Sequence, residues 1–413
     1  MDARTLIPLS PVYYLNTRTI LESLRLGVLS SKMLLLPSLS LISLFGGTYA
    51  SFRDFGIPVS NATVDVRVFN VGNATLRDTA HAFISPVLPG NEAFEAPLFA
   101  FLVEHNATQT RIMFDLGIRK DPLNFVPSIA NLFSSGLASA DVSKDITDLL
   151  QDGGIPLTSI KTVIWSHSHF DHIGDMSKFP NTTTLAIGPG TNTAIFPGSP
   201  NGILQASDFA GHNVTELNFS TTNLSFNSLK AIDYFGDGSF YLLNTPGHLP
   251  GHISALARVT PTSFISLGGD TFHHAGEARP RPEFQKNFPC PAHLLEETKT
   301  SISTDYFWSP KSRDGAFDMP SRAQQLLAIS DLPDSFYADP VTSQVSLEKL
   351  ATLDADPDIF VIVAHDRSLL SSLPYFPASL SGWKASQLKE RTVWNFADKT
   401  NPAFIFSPTN KTT

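Results

Sequence analysis

Six positions, His167-Ser168-His169-Phe170-Asp171-His172, place three imidazoles and a carboxylate directly after the apolar run Thr162-Val163-Ile164-Trp165. Buried together, those groups each need a polar partner. A cation serves all of them at once, because imidazole nitrogen and carboxylate oxygen form the ligand set that suits zinc and neighbouring first-row metals. In a tight loop after a strand, His167 and His169 share one side and can hold one metal. Asp171 and His172 then turn towards a second.

Four more stations repeat the pattern of an apolar strand that ends in a metal-compatible residue. Thr110 to Phe114 runs into Asp115, and Phe240 to Leu243 precedes His248 in the turn Thr245-Pro246-Gly247-His248-Leu249-Pro250-Gly251-His252. Ser263 to Leu267 leads to Asp270, and Ile359 to Ala364 leads to His365. One strand followed by His or Asp arises by chance. Five in order, with the dense cluster among them, form a strong signal.

The elements that carry these stations alternate between strand and helix. Thr63 to Val68 has a period of two, and Pro97 to Val103 is a more continuous apolar strand. Asp141 reads as the N-cap of a helix carrying Ile146, Leu149 and Leu150, stopped by Gly153-Gly154. Pro320 to Ile329 reads as a second helix with Leu326 and Leu327 on its apolar side. The chain between Asp270 and His365 is longer than a strand-to-strand crossing requires and is rich in Pro and aromatics from Arg279 to Trp308. Such an insertion beside a site reads as a lid or a substrate wall. Arg279 and Arg281 within it read as surface groups, with binding of an anionic substrate or product as the alternative.

With these residues the chain resembles the metallo-β-lactamase superfamily of hydrolases, from about Val64 to about Leu370. The resemblance implies an α/β fold, an αββα sandwich of two mixed β-sheets flanked by helices with the site at one edge. It implies that His167, His169 and His248 hold a first metal. Asp171, His172 and His365 would hold the second, with Asp270 bridging both and Asp115 orienting a ligand loop from behind. Two Zn2+ ions per chain are the implied cofactor. Histidines on both sides of Asp171, and Asp at 270, are similar to the dinuclear branch, which contains quorum-quenching lactonases, thioesterases and fungal lactamases. The spacing from His248 to Asp270 is most similar to that of the lactonases. Those place a tyrosine three residues after the bridging aspartate to contact the substrate carbonyl; here His273 stands there, followed by His274.

Two ions of this kind lie roughly 3.5–4 Å apart, and a water between them loses its proton near neutral pH. The hydroxide attacks a carbonyl, so the implied activity is opening of a lactone or lactam, in detoxification of a xenobiotic or signalling molecule. An acyl thioesterase and a non-catalytic metal-binding protein are the alternatives. Asp171 is a ligand in this scheme and not a free external base. His273 is the candidate donor to the leaving group. No G-x-S-x-G elbow competes as a nucleophile.

Composition fits one such hydrolase domain over 63–413, with a long insertion at about 275–350. In 413 residues, 42% are hydrophobic and 31 are Phe, ample for a filled core. The net charge of −9 argues against attraction to phosphate backbones, and so against nucleic acid as a partner. The expected partner is a small molecule with a cyclic ester or amide; the sequence leaves the oligomeric state open. The apolar stretch Met33 to Leu44, followed by Gly46-Gly47-Thr48-Tyr49-Ala50, reads as a signal peptide over residues 1–50, cleaved after Ala50, with 51–62 as a linker. It is too short for a comfortable membrane span. Asn-x-Ser/Thr sequons at Asn61, Asn73, Asn106, Asn181, Asn213, Asn218, Asn223 and Asn410 support a secreted glycoprotein. A single cysteine, Cys290, which allows no internal disulfide, suits the cytoplasmic alternative.

Overall fold

Strand alternation builds the architecture. In the strand Phe94–His105, Phe99, Phe101 and Val103 face one way and Leu98, Ala100 and Leu102 the other, and both sets are buried. A strand apolar on both faces must lie between two layers. The computed structural model describes residues 52–409 and shows those layers. One sheet has seven strands. They are β1 (Val64–Leu76), β3 (Phe94–His105), β4 (Thr110–Phe114), β5 (Ala138–Asp141), β6 (Ile160–Ile164), β7 (Thr184–Ile187) and β8 (Val214–Glu216), in the order β5-β1-β3-β4-β6-β7-β8. The other has β9 (Ser225–Phe226), β10 (Leu229–Asp233), β11 (Phe240–Asn244), β12 (Ile253–Thr260), β13 (Ser263–Leu267) and β15 (Ile359–Ile362), in the order β15-β13-β12-β11-β10-β9. Each sheet mixes parallel and antiparallel pairs. A short ribbon joins β2 (Ile84–Ser85) to β14 (Ala328–Ile329).

The inner faces meet through Val66, Val68, Phe101, Phe114, Phe240, Leu242, Ile265 and Phe360. The outer face of the first sheet packs Met113, Val163 and Trp165 against Ile146 and Leu150 of α2 (Ile146–Asp152), with α1 (Pro127–Ser134) nearby. The outer face of the second packs Leu256, Phe264 and Val361 against Leu347 and Leu350 of α8 (Pro340–Asp354). The expected αββα sandwich is the fold.

Two expected helix boundaries differ. Asp141 ends β5, because Asn73 to Leu76 of β1 pair with 138–141 and draw that stretch into the sheet. The helix starts instead at Asp145, whose Oδ1 accepts from Thr147 N at 3.1 Å and Asp148 N at 3.3 Å. Pro320 to Ile329 is not a helix. After a single turn at Met319–Ser321, Leu326 N donates to Arg279 O at 3.1 Å and Leu327 N to Gly276 O at 2.8 Å, so tertiary contacts take the bonds a helix would use.

The stretch after Asp270 carries α3's successors: α3 is Phe170–Ile173, followed by α4 (Ala275–Ala278), α5 (Pro282–Asn287), α6 (Ala292–Ser301) and α7 (Thr304–Phe307). With α9 (Leu388–Thr392) alongside the C-terminal segment, they enclose their own core of Phe284, Phe307, Phe317, Trp394, Phe396 and Phe406. The apolar stretch 33–44, its expected cleavage site and Asn410 lie outside the described residues. The seven other sequon asparagines are all exposed. Among the described residues no helix is long and apolar enough to cross a membrane.

Candidate active site and metal centre

Every station of the sequence pattern arrives at one edge of the sandwich. The loop after β6 and the short α3 supply His167, His169, Asp171 and His172; the turn after β11 supplies His248; β13 delivers Asp270 and β15 delivers His365. His169 Nδ1 stands 2.9 Å from His167 Nε2 and 3.0 Å from His248 Nε2. Asp270 Oδ2 lies 3.6 Å from His167 Nε2, 3.4 Å from His248 Nε2 and 3.3 Å from His172 Nε2. His365 Nε2 lies 3.3 Å from Asp270 Oδ1 and 3.4 Å from Asp171 Oδ2. Two groups that could each hold a metal result, His167-His169-His248-Asp270 and Asp171-His172-His365, with Asp270-His273-His365 as a third combination.

The donor chemistry fits cations. His365 Nδ1 is 2.9 Å from the carbonyl oxygen of Pro97, which can only accept, so Nδ1 carries the proton. His172 Nδ1 is 2.9 Å from Asp115 Oδ2 and donates likewise. In their neutral forms these two rings turn Nε2 lone pairs towards each other, 3.2 Å apart. Lone pairs and carboxylates turned onto one point, in a buried place, repel unless a cation lies among them. Asp270 Oδ1 and His248 Nδ1 are buried without hydrogen-bond partners.

Proton affinities divide accordingly. Burial pushes His167 and His248 well below the ordinary histidine range and His169 to about 4, leaving them neutral ligands. At His172 and His365 burial works the same way, but Asp270, with Asp115 or Asp171, outweighs it and raises both. A metal competes with those protons for the same lone pairs.

Asp115 orients the loop as expected. Its Oδ1 accepts from Ser166 N at 2.6 Å, and its φ of +58° is an uncommon conformation for a non-glycine residue, held by those two bonds. His252 is a positioning residue too. Its Nε2 accepts from Asp270 N at 2.9 Å and its Nδ1 donates to Thr245 O at 2.7 Å.

A cavity of about 300 Å³ opens onto His169, Asp171, Asp270 and His365. Its walls are Leu76, Phe83, Phe94, Leu98, Ile129, Leu132, Leu137, Phe170, Ile203 and Phe336. Half of them come from β1, β3 and α1, and among the described residues of the insertion Phe336 alone reaches the cavity. Weakly patterned positions of this kind gave no signal in the sequence. Arg77, exposed, is the only lysine or arginine among the described residues that lines it.

His273 was expected to face the substrate. The structure places it beside Asp270, its Nε2 3.2 Å from Asp270 Oδ2, enclosed by Phe83, Phe94 and Tyr337 and absent from the residues lining the cavity. The turn into α4 holds it there, with His273 N donating to Glu277 Oε2 at 2.7 Å. His274 caps α4 through its Nδ1 and meets Ala403 O at 2.7 Å through Nε2. Arg279 is not a surface group. It is buried and bidentate to Asp354 at 2.7 and 2.8 Å, while Arg281 pairs with Glu348.

Residues 99–365 match the metallo-beta-lactamase superfamily. The chain belongs to that superfamily. Over 362 residues it is 36% identical to the metallo-hydrolase mfmC of Annulohypoxylon moriforme, covering 84% of this chain and 90% of the relative. Over 359 residues it is 34% identical to the gamma-lactamase FDB1 of Fusarium pseudograminearum, covering 84% of each. A solved N-acyl homoserine lactone hydrolase, with N-hexanoyl-L-homoserine at its catalytic metal centre, aligns with 78% of the chain and 100% of its own at 17% identity and a TM-score of 0.49. This superfamily membership and the lactamase relative make the chain a hydrolase of the lactamase and lactonase type, and its His/Asp clusters suit metal binding.

Proposed function

We propose that the protein is a dinuclear hydrolase that opens a lactam or lactone ring fused to, or carried on, a compact apolar body. The observation that carries this reading is the cavity: its floor holds His169, Asp171, Asp270 and His365 and its walls are almost wholly aliphatic and aromatic. In this reading His167, His169 and His248 hold one ion and Asp171, His172 and His365 the other, with Asp270 shared. Zinc is the expected metal. Two such ions supply a water nucleophile at neutral pH and polarise the carbonyl under attack.

The chain's own residues do the rest. Phe83, Phe94, Leu98 and Phe170 exclude bulk water and stack on a flat substrate, so the ring's carbonyl is turned to the floor. Asp171, partly exposed at that floor, sets the direction of approach. Arg77 at the rim donates to the carboxylate that ring opening creates. The gamma-lactamase relative supports the cyclic amide as substrate, and a cyclic ester presents the same carbonyl to the same floor.

A panel of zinc-loaded assays tests this: aryl-fused five-membered lactams, lactones with short and long alkyl tails, and acyl thioesters. Ring opening of an apolar lactam or lactone is expected, with loss of turnover in Asp270→Asn. Turnover of thioesters alone overturns the reading.

A further inference from the structure

Behind Asp270 lies a buried chain of polar groups that binding of metal and substrate does not itself require. His273 Nε2 is 3.2 Å from Asp270 Oδ2, and His273 Nδ1 is 2.6 Å from Tyr337 Oη. Tyr337 Oη in turn lies 3.4 Å from Glu277 Oε1, whose other oxygen accepts from the backbone N–H of His273 and of His274, both at 2.7 Å. His273, Tyr337 and Glu277 are all buried. Among the described residues no lysine or arginine pairs with Glu277, so a charge there would stand uncompensated in a dry place.

The directions of the bonds follow from what each group can do. Asp270, as a carboxylate, accepts from His273 Nε2–H. His273 Nδ1 must then accept, so the tyrosine hydroxyl donates to it. Glu277 Oε1 stands 3.4 Å from Tyr337 Oη: it accepts from the hydroxyl when ionised and donates to it when it holds a proton. Burial raises the Glu277 carboxyl to about 8, against the two backbone bonds and the bond from the Tyr337 hydroxyl, which lower it. With Glu277 protonated, the chain runs donor to acceptor from Glu277 through Tyr337 and His273 to Asp270.

We infer that Glu277, Tyr337 and His273 form a positioning relay that fixes the orientation of the shared carboxylate Asp270, and so sets how tightly the site holds its metals. This rests on the metal-binding reading proposed above. The three side chains act through Asp270 rather than on substrate. Glu277 also serves as the third residue of the α4 capping box, but that bond needs only its Oε2. Tyr337 has no such duty, and its hydroxyl is the link that can be removed alone.

Zinc affinity, measured by competition with a chromogenic chelator on the full chain, tests the inference without any substrate. Tyr337→Phe is expected to weaken zinc binding 10–100-fold, the range for loss of an outer partner of a metal ligand, with the melting point of the metal-free protein little changed. Glu277→Gln keeps an acceptor for the two N–H groups and a donor for Tyr337, and is expected to bind zinc within threefold of the wild type. In a His273→Ala background Tyr337→Phe should add nothing, because the hydroxyl's link to Asp270 has gone and phenylalanine keeps the ring contact with His248. Wild-type affinity in Tyr337→Phe overturns the relay, as does an additive effect in the double variant. If Tyr337→Phe does not fold, Glu277→Leu against Glu277→Gln gives the same comparison, and equal affinity in the two overturns the relay. A wild-type chain that binds no zinc overturns the metal reading itself, a distinct outcome.

Discussion

Replacing Asp115 with asparagine should weaken binding of one of the two proposed zinc ions and spare the other. Asparagine tolerates the left-handed backbone at this position, φ +58°, about as well as aspartate does, so the change acts on the acceptor pattern alone. The carboxylate accepts two donors, Ser166 N–H at 2.6 Å and His172 Nδ1–H at 2.9 Å. An amide has one acceptor oxygen. With that oxygen kept on Ser166, its NH2 faces His172 Nδ1, and the clash is relieved when the imidazole moves its proton to Nε2. That proton then occupies the lone pair facing His365 Nε2 at 3.2 Å. Loss of such an outer partner lowers affinity about 10–100-fold, or about 1.4–2.7 kcal/mol. The loss should fall on the ion held by Asp171, His172 and His365, since neither His167, His169 nor His248 bonds to Asp115. Chelator competition should therefore resolve one unchanged zinc and one weakened by one to two decades, with turnover falling in parallel. Two zincs at wild-type affinity, or equal weakening of both, would refute the tautomer argument.

Phe336 is 40% exposed at the cavity, so a substrate can cover at most that remainder. At about 1.5–3 kcal/mol for a whole side chain, Phe336→Ala should raise KM for apolar substrates about fivefold with kcat nearly unchanged, and a collapse of kcat would contradict a purely apolar role. His252 is buried and pushed down to about 4, mainly by desolvation, against an unfolded value near 6.5. The unfolded chain therefore takes up its proton first, so this group's contribution is whole above pH 6.5 and shrinks by about 3 kcal/mol between pH 6.5 and 4. Urea unfolding of the metal-free protein should show that slope in the wild type and a shallower one in His252→Asn; equal slopes would sink the assignment. Arg279→Ala leaves Asp354 buried without its bidentate partner and should destabilise the protein by about 3–5 kcal/mol while leaving KM unaltered in whatever folds, read by denaturation midpoint and steady-state kinetics.

The site was legible because metal chemistry concentrates polar residues where strands stop. His167, His169, Asp171 and His172 stand out against the buried run before them, and Asp115, His248, Asp270 and His365 each end an apolar run. Strand periodicity carried the sandwich for the same reason: Phe99, Phe101 and Val103 alternate with Leu98, Ala100 and Leu102, and both sets need cover. Local pattern failed where pairing decided the conformation. Asp141 looks like a helix cap to its own neighbours, yet Asn73 claims it for a sheet edge. Nothing near Tyr337 marks it as a partner of His273, 64 positions earlier. Leu76, Leu132 and Ile203 line the cavity only because three separate segments converge.

Of the two readings of the insertion, lid or substrate wall, its bonds and the place of Phe336 favour the wall. A lid opens by breaking few bonds. The end of this insertion is held from both sides: Phe336 N donates to Ala82 O at 2.9 Å and Ser330 N to Phe83 O at 3.1 Å, while Ala338 N donates to His248 O and Asp339 N to Gly247 O, both at 2.9 Å. The stretch is thus tied at once to the cavity wall at Phe83 and to the turn that carries His248. Its two central residues point apart, Phe336 towards the cavity and Tyr337 into the buried chain behind Asp270. The aromatic core of Phe284, Phe317, Trp394 and Phe406 anchors the rest. Such a segment suits a fixed brace: it shapes the cavity through Phe336 and holds the His248 turn and His273 through its neighbours, so, on the proposed reading, substitutions there should alter KM and metal affinity without exposing a gating step.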